Sequence, residues 1–214
     1  MNSTPSPFSS SSASSTASFK VRPAQIEDLS PLATLLTECF HPPVGWMYWL
    51  NPVLKLGIYE DLRSRLQNAS PHYLCLVTGV GSARNLALFS PQLAKYPDVT
   101  KSSNSVVTDP EELVGTIELT LRSSSLFGAQ YPYISNLAVS PAYRRRGLAR
   151  QLLCQCEPTA KKWGYREIYL HVMENNTGAI ALYRNCGYHL HSTEANLGSW
   201  LWDRPHRLLL RKLL

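Results

Sequence analysis

The stretch SPAYRRRGLA, residues 140–149, decides the fold, because it lies where a strand-like run changes into a helix-like one. A glycine at such a turn lets the backbone approach a ligand, and the following helix start offers unpaired N–H groups. Arg144, Arg145 and Arg146 add positive charge there. The turn predicts a site for a pyrophosphate-like anion, although a solvated basic turn that caps a helix has the same pattern. Neither Gly-x-Gly-x-x-Gly nor Gly-Lys-Ser/Thr occurs, which excludes the dinucleotide-binding and P-loop turns.

A second informative segment, ENNTGAIALYRNCGY, residues 174–188, follows the next strand-like run. Asn175 and Asn176 can cap the short helix that starts there, or they can bind a ligand amide. Tyr183 lies seven residues after Asn176, two helical turns along the same face, so both side chains can point to one ligand. The structural alternative for Tyr183 is a core aromatic residue on an amphipathic helix.

The order of strand-like and helix-like runs predicts one α/β (mixed α+β) domain over residues 19–214. The predicted strands are 19–23, 73–78, 113–121, 131–139, 166–172, 188–192 and 207–213. The predicted helices are 32–40, capped by Ser30 with Pro31 at its first position, then 54–66, 148–163 and 178–185. We therefore expect a mixed sheet of about seven strands flanked by about four helices.

Two segments are predicted to lie outside the packed domain. Residues 1–18 hold nine serines and no charged side chain, which predicts a disordered tail. That tail has neither the regions of a secretory signal nor the arginines of a transit peptide. Residues 81–112 are too long for an ordinary connection, so we expect a flexible insertion.

Composition excludes several classes of protein. The 214 residues are 44% hydrophobic and 17% charged, which excludes global disorder and a coiled coil. No apolar run approaches the ~20 residues that span a bilayer, so no membrane segment is expected. Five cysteines without a Cys-x-x-Cys pair argue against a disulfide framework and against a zinc site. We expect all five to be buried thiols in a reducing compartment.

The basic glycine turn and the Asn-to-Tyr helix resemble, in order and spacing, the GNAT superfamily of N-acetyltransferases. Arg144 to Ala149 match the family's Arg/Gln-x-x-Gly-x-Gly/Ala turn in full. The resemblance implies a GNAT fold with a mostly antiparallel sheet, acetyl-CoA as co-substrate and no metal. It also implies a splayed central strand that holds the pantetheine arm and Tyr183 as the proton donor to the departing thiolate. The implied acetyl-CoA-binding residues are Leu137, Ala138, Val139, Arg144, Arg145, Arg146, Gly147, Leu148, Ala149, Arg150, Asn176, Thr177, Gly178 and Tyr183.

A finer resemblance concerns removal of a proton from the acceptor amine. Tyr133 and His171 match positions at which some N-terminal protein acetyltransferases deprotonate the amine through water. An imidazole suits an α-amine of pKa about 8 better than a lysine amine of pKa about 10.4. The structural alternatives are a core phenol and a strand histidine satisfied by a neighbour. Glu118 is a competing base candidate, although we expect it to be an outward surface carboxylate.

Three functions are consistent with these patterns. The first is transfer of an acetyl group to a primary amine by direct attack, mainly to protein N-terminal α-amines and also to lysine side chains. The second is acetylation of a small-molecule amine or amino acid. The third is a non-catalytic acetyl-CoA-binding module, against which Tyr133, His171 and Tyr183 argue.

The remaining expectations concern partners and location. Nucleic-acid binding would explain the net charge of +6 but not the helix from Asn176 to Tyr183, and the CoA phosphates account for the basic turn, so we expect no nucleic-acid partner. We also expect no membrane partner, and a monomer or weak homodimer. Aromatic loops at 41–52 and 192–206 are expected to shape the acceptor groove. The sequence resembles the cyanobacterial and plastid branch of the family, so we expect a cytoplasmic protein, or a stromal one in a plant or alga.

Overall fold

The computed structural model describes residues 19–41, 49–68, 70–80, 112–123, 128–194 and 205–214. The predicted tail, and the predicted insertion apart from Glu112, lie outside these residues. The predicted mixed α/β class is confirmed, with seven strands and four α-helices in the described part of the chain. The strands are β1 (Phe19–Pro23), β2 (Tyr73–Val80), β3 (Glu112–Ser123), β4 (Gln130–Val139), β5 (Glu167–Met173), β6 (His189–Glu194) and β7 (Arg207–Leu213). The helices are α1 (Leu29–Phe40), α2 (Asn51–Gln67), α3 (Leu148–Lys162) and α4 (Thr177–Asn185).

The seven strands form one sheet in the order β1-β2-β3-β4-β5-β7-β6. Every neighbouring pair is antiparallel except β4 and β5, which are parallel. The β4–β5 ladder pairs Tyr133 with Tyr169 and Ile134 with Leu170, whereas β4 continues to Val139 beside β3. The two central strands therefore splay apart after Ile134, which opens a cleft in the middle of the sheet.

Each face of the sheet carries its own hydrophobic core. Because side chains alternate along a strand, the adjacent residues Leu76 and Val77 of β2 point to opposite faces. Leu76 joins a core with Leu152 and Cys156 of α3, and Val77 joins another with Leu32 of α1. The sheet therefore lies between α3 on one side and α1 on the other.

The first helix begins one residue before the predicted Ser30 cap. A 3-10 turn over Ile26–Asp28 leads directly into Leu29, and Asp28 replaces the serine as the anchor of the entry. Its carboxylate accepts hydrogen bonds from the Arg22 guanidinium at 2.6 and 2.9 Å and from the Gln25 backbone N–H at 2.8 Å. A proline is tolerated in the first turn because no N–H is required there. The helix therefore starts where Asp28 fixes the preceding turn.

The cysteines only partly meet expectation. Cys75, Cys156 and Cys186 are buried, whereas Cys39 is partly exposed and Cys154 is exposed. A spacing of two puts Cys154 and Cys156 on different faces of α3, and only Cys156 faces the sheet. The prediction that all five thiols are buried is wrong for Cys154. Among the described residues, no helix is long and apolar enough to cross a membrane.

Candidate active site

A cavity of about 490 Å³ lies where β4 and β5 separate. It is lined by residues of α1, α2, α4 and the four strands β3, β4, β5 and β7. The three predicted catalytic residues, Tyr133 on β4, His171 on β5 and Tyr183 on α4, all line it. The splay therefore brings together three side chains that are up to 50 positions apart in the sequence (183 minus 133).

Tyr133 and His171 form a direct pair across the two parallel strands. The Tyr133 hydroxyl lies 2.8 Å from His171 Nδ1. Because that hydroxyl oxygen also accepts a hydrogen bond from Arg207 Nη2 at 3.3 Å, its proton is directed toward Nδ1. The neutral imidazole then carries its hydrogen on Nε2. The two structural alternatives, a core phenol and a histidine satisfied by a neighbour, thus describe one and the same contact, which faces the cavity.

The surroundings of His171 keep the imidazole neutral. Burial is the main factor that lowers the pKa of His171, and the cationic Arg207 and Arg122 lower it further, against the opposing effect of Glu194. His171 Nε2 lies 2.9 Å from Glu194 Oε1 but misses the directional geometry of a hydrogen bond, and no other described residue bonds to this nitrogen. An imidazole that is neutral at pH 7 can accept a proton, and Glu194 lies where it would stabilise the resulting cation.

Tyr183, on α4, lines the same cavity. It is 8% exposed, and its ring meets that of Tyr188 edge to face, with the centroids 6.0 Å apart. Burial raises the pKa of Tyr183 to about 12, so the phenol keeps its proton at neutral pH. A protonated phenol in a cavity can donate that proton to an anion that forms beside it.

The basic turn has the geometry of an anion-binding helix start. Gly147 caps α3 with φ of 82°, a left-handed conformation that favours glycine, and Arg145 also has a positive φ of 64°. The first described bond of the helix runs from the Gln151 N–H to the Gly147 carbonyl, which leaves the N–H groups of residues 148–150 free of helical partners. A Cβ placed on Gly147 would meet no atom within 4 Å, so the space in front of this turn is open.

The arginines of the turn differ in their surroundings. Arg144 donates from Nε to the Val139 carbonyl at 3.1 Å, which ties the turn to the end of β4. Arg146 stacks over the Tyr143 ring at 5.2 Å, and Arg150 is exposed on the first turn of α3. Three of the predicted acetyl-CoA-binding residues, Leu137, Ala138 and Val139, form the stretch of β4 that joins the cavity to this turn. Leu137 lines the cavity, and Ala138 is buried.

Asn176 acts as a helix cap. Its side-chain oxygen accepts a hydrogen bond from the Ala179 N–H at 3.1 Å, which satisfies one orphan donor of α4. Thr177 and Gly178 are exposed beside it, and none of the three is among the described residues that line the cavity. Of the two interpretations of the asparagine, the structure supports the cap directly.

Glu118 contradicts the expectation of an outward surface carboxylate. It is 0% exposed, and it accepts hydrogen bonds from Arg65 Nη1 at 2.6 Å and from Asn136 Nδ2 at 3.0 Å. Arg65 also pairs with Asp61, one turn earlier on α2. A carboxylate held by two donors and shielded from the solvent is poorly placed to exchange protons as a base. Sequence reasoning missed Arg65, Asp61 and Asn136, and the only local signal was the i,i+4 spacing of Asp61 and Arg65.

The two aromatic loops expected to shape the acceptor groove lie largely outside the described residues, at 42–48 and 195–204. Of their tryptophans, the structure describes Trp49, which is 65% exposed. No group of three or more His, Cys, Asp or Glu side chains in the described ranges could hold a metal ion.

The sequence is similar to known acetyltransferases. The model of the acetyltransferase (GNAT) family matches residues 83–188. GCN5-related N-acetyltransferase 4, chloroplastic, from Arabidopsis thaliana is 46% identical over 183 residues, which are 78% of this chain and 60% of that protein. GCN5-related N-acetyltransferase 10, chloroplastic, from the same plant is 27% identical over 87% of this chain and 68% of that protein. The chain thus spans about two thirds of the length of these relatives.

A solved structure shares the fold. The PaiA N-acetyltransferase of Thermoplasma acidophilum, in complex with coenzyme A, superposes with a TM-score of 0.60. The match covers 92% of this chain and 99% of that one at 19% identity. At this identity the likeness shows a common architecture and leaves the acceptor to be inferred from the site itself.

Proposed function

The chain belongs to the GNAT family of acetyltransferases and has its fold, and we propose that it transfers the acetyl group of acetyl-CoA to the α-amine of protein N-termini. The observation that carries the proposal is the contact between Tyr133 and His171 in the same cavity as Tyr183. The Tyr133–His171 pair supplies a proton acceptor and Tyr183 a proton donor around one cavity, as amine acetylation from a thioester requires.

The acetyl donor is assigned to the basic turn and the end of β4. The open space before Gly147, the free N–H groups of residues 148–150 and the arginines Arg144, Arg145, Arg146 and Arg150 suit the phosphates of CoA. Backbone groups of residues 137–139 suit the pantetheine arm, because β4 has left the β5 ladder there. Asn176, Thr177 and Gly178 stay a proposed contact of the cofactor at the start of α4. Acetyl-CoA supplies a thioester that is activated toward attack by a neutral amine.

The chain's own residues handle the protons. The Tyr133 hydroxyl accepts a proton from the amine, directly or through water, while its own proton passes to His171 Nδ1 at 2.8 Å. A backbone N–H of β4 stabilises the oxyanion of the tetrahedral intermediate. Tyr183 gives its proton to the thiolate that leaves. Cys186 takes no part, because burial raises the pKa of its thiol and keeps it protonated, so no acyl-enzyme is needed.

The α-amine is favoured over the lysine side chain by the strength of the base. An α-amine of pKa about 8 has a useful neutral fraction at pH 7, and a neutral imidazole needs only to complete its deprotonation. A lysine amine of pKa about 10.4 requires a stronger base. Lysine side chains are therefore a secondary acceptor, and a small-molecule amine is the alternative.

We propose the plastid stroma as the place of action. The support is that both plant relatives are named chloroplastic. The stroma is a reducing compartment, which suits the free cysteines of the described residues.

The experiment is incubation with acetyl-CoA and matched peptides, followed by mass spectrometry of the modified amines. One peptide has a free N-terminus and no lysine, and its partner has a blocked N-terminus and one internal lysine. We expect the first to be acetylated faster, and the Tyr183→Phe protein to be slow with both. Exclusive modification of the blocked peptide, or of neither peptide, would contradict the proposed acceptor.

A further inference from the structure

Two arginines flank the phenol of Tyr133 at the cavity. The guanidinium carbon of Arg122, at the end of β3, lies 3.6 Å from the centroid of the Tyr133 ring. Arg207, at the start of β7, donates to the hydroxyl of the same ring at 3.3 Å. Both arginines line the cavity, so two positive charges border the place where the amine is deprotonated.

Arg122 and Arg207 have weaker carboxylate partners than the neighbouring arginines Arg65 and Arg211. Arg65, also at the cavity, has Glu118 Oε2 at 2.6 Å, and Arg211 on β7 has Glu167 Oε1 at 3.2 Å. By contrast, Arg207 lies 4.0 Å from the nearest Glu194 oxygen, the limit of an ion pair. Arg122 has no carboxylate within ion-pair distance among the described residues. Arg122 and Arg207 therefore present positive charge to the cavity that no close carboxylate of the described residues neutralises.

This charge has two effects on an incoming amine. Like charges disfavour the ammonium form, so a bound amine loses its proton more readily than in water. The same repulsion weakens binding of any acceptor that brings only its ammonium group. An acceptor with a carboxylate close to the amine escapes that penalty, because a planar guanidinium pairs well with a carboxylate.

We propose that Arg122 and Arg207 select acceptors that carry a carboxylate next to the reactive amine. The inference rests on the proposed acetyl transfer to an amine in this cavity. The carboxylate has two sources, an acidic side chain in the first two residues of a protein N-terminus or the α-carboxylate of a free amino acid. A separate arm of the test addresses each source.

The test compares acceptors that differ only in charge. Peptides with Asp or Glu at the second position are paired with peptides that carry Asn or Gln there, and kcat/KM is measured for each. We expect the acid-to-amide ratio to be about tenfold or more in the wild-type protein at low salt, and to fall as salt rises. Free alanine and its α-amide form the second arm.

The variants are Arg122→Gln and Arg207→Gln, with Arg211→Gln as the matched control on β7. Because the ratio divides one substrate by another, a loss of Tyr133 function affects both acceptors alike and cancels. We expect each cavity variant to bring the ratio close to one, while Arg211→Gln keeps it. A wild-type ratio near one, or a ratio that survives in both cavity variants, overturns the proposal.

The two proposals fail separately. Equal acetylation of acidic and amide peptides keeps the N-terminal acceptor and overturns the selection by arginine. Acetylation of free alanine alone, with a ratio to its α-amide that collapses in the cavity variants, supports the selection and overturns the protein acceptor.

Discussion

The contact between the buried Glu118 and the partly exposed Arg65 allows a sharp test of what stabilises the sheet beside the cleft. Glu118 is 0% exposed and has two donors, Arg65 at 2.6 Å and Asn136 at 3.0 Å. Replacing Arg65 with methionine leaves a buried carboxylate with Asn136 as its remaining donor. Because the Arg65 side chain is 38% exposed, solvent screens part of the interaction, and we expect a loss of about 2 kcal/mol. Asp61→Asn removes the other partner of Arg65, but that carboxylate is 54% exposed, so we expect a loss of about 0.5 kcal/mol.

The assay is equilibrium denaturation in urea. The free energy of unfolding of each variant is compared with that of the wild type through the midpoint urea concentration, provided that the m-value is unchanged. We also expect the double change Glu118→Gln with Arg65→Met to be more stable than Arg65→Met alone, because it removes the unpaired charge. If Arg65→Met lost no more stability than Asp61→Asn, the reasoning would be refuted. The same would follow if the double change were additive.

Three further changes probe the proposed chemistry. Gly147→Ala puts a side chain at φ of 82°, so we expect weaker acetyl-CoA binding by calorimetry, whereas an unchanged affinity would contradict the phosphate turn. Tyr183→Phe should lower kcat by roughly 10²–10⁴ with little change in acetyl-CoA affinity, and an unaltered kcat would remove it as the acid. In the wild type burial lowers the pKa of His171, so the acidic limb of kcat should lie below the ordinary imidazole range, where the imidazole gains its proton. His171→Ala should be slower, most of all at acidic pH, because its acidic limb moves up toward the amine's own pKa of about 8, and a pH profile parallel to that of the wild type would leave His171 a structural residue.

The basic turn could be predicted from sequence because its determinants are local. A glycine before a helix, three arginines and the preceding strand all lie within ten residues, and the structure places Gly147 at a positive φ as the cap of α3. The strands and helices were predictable for the same reason, since their periodicity is contained in short windows. Boundaries moved by a few residues where a side chain of a neighbouring element intervened, as Arg22 of β1 does in fixing Asp28 before α1.

Glu118 shows what local patterns leave out. Alternation along β3 correctly places it on the face opposite Ile117 and Leu119, which belong to the core packed against α3. The error was to take that opposite face for solvent, because α2 covers it and brings in Arg65 from 53 positions earlier in the chain. Periodicity assigns a face, but only the packing of distant elements decides what lies on it.

The contact between Glu118 and Asn136 explains why the site lies where the sheet is irregular. The register of β3 against β4 shifts between Thr116 and Glu118, and Asn136 takes a positive φ of 51° opposite that shift. A left-handed asparagine is disfavoured unless its side chain is held, and Glu118 holds it at 3.0 Å. β4 leaves β5 just before this point, after Ile134, so its backbone groups are released toward the cleft in which Tyr133 and Tyr183 lie. A buried carboxylate therefore stabilises the irregularity in the sheet, and that irregularity creates the space in which an acetyl donor and an amine can meet.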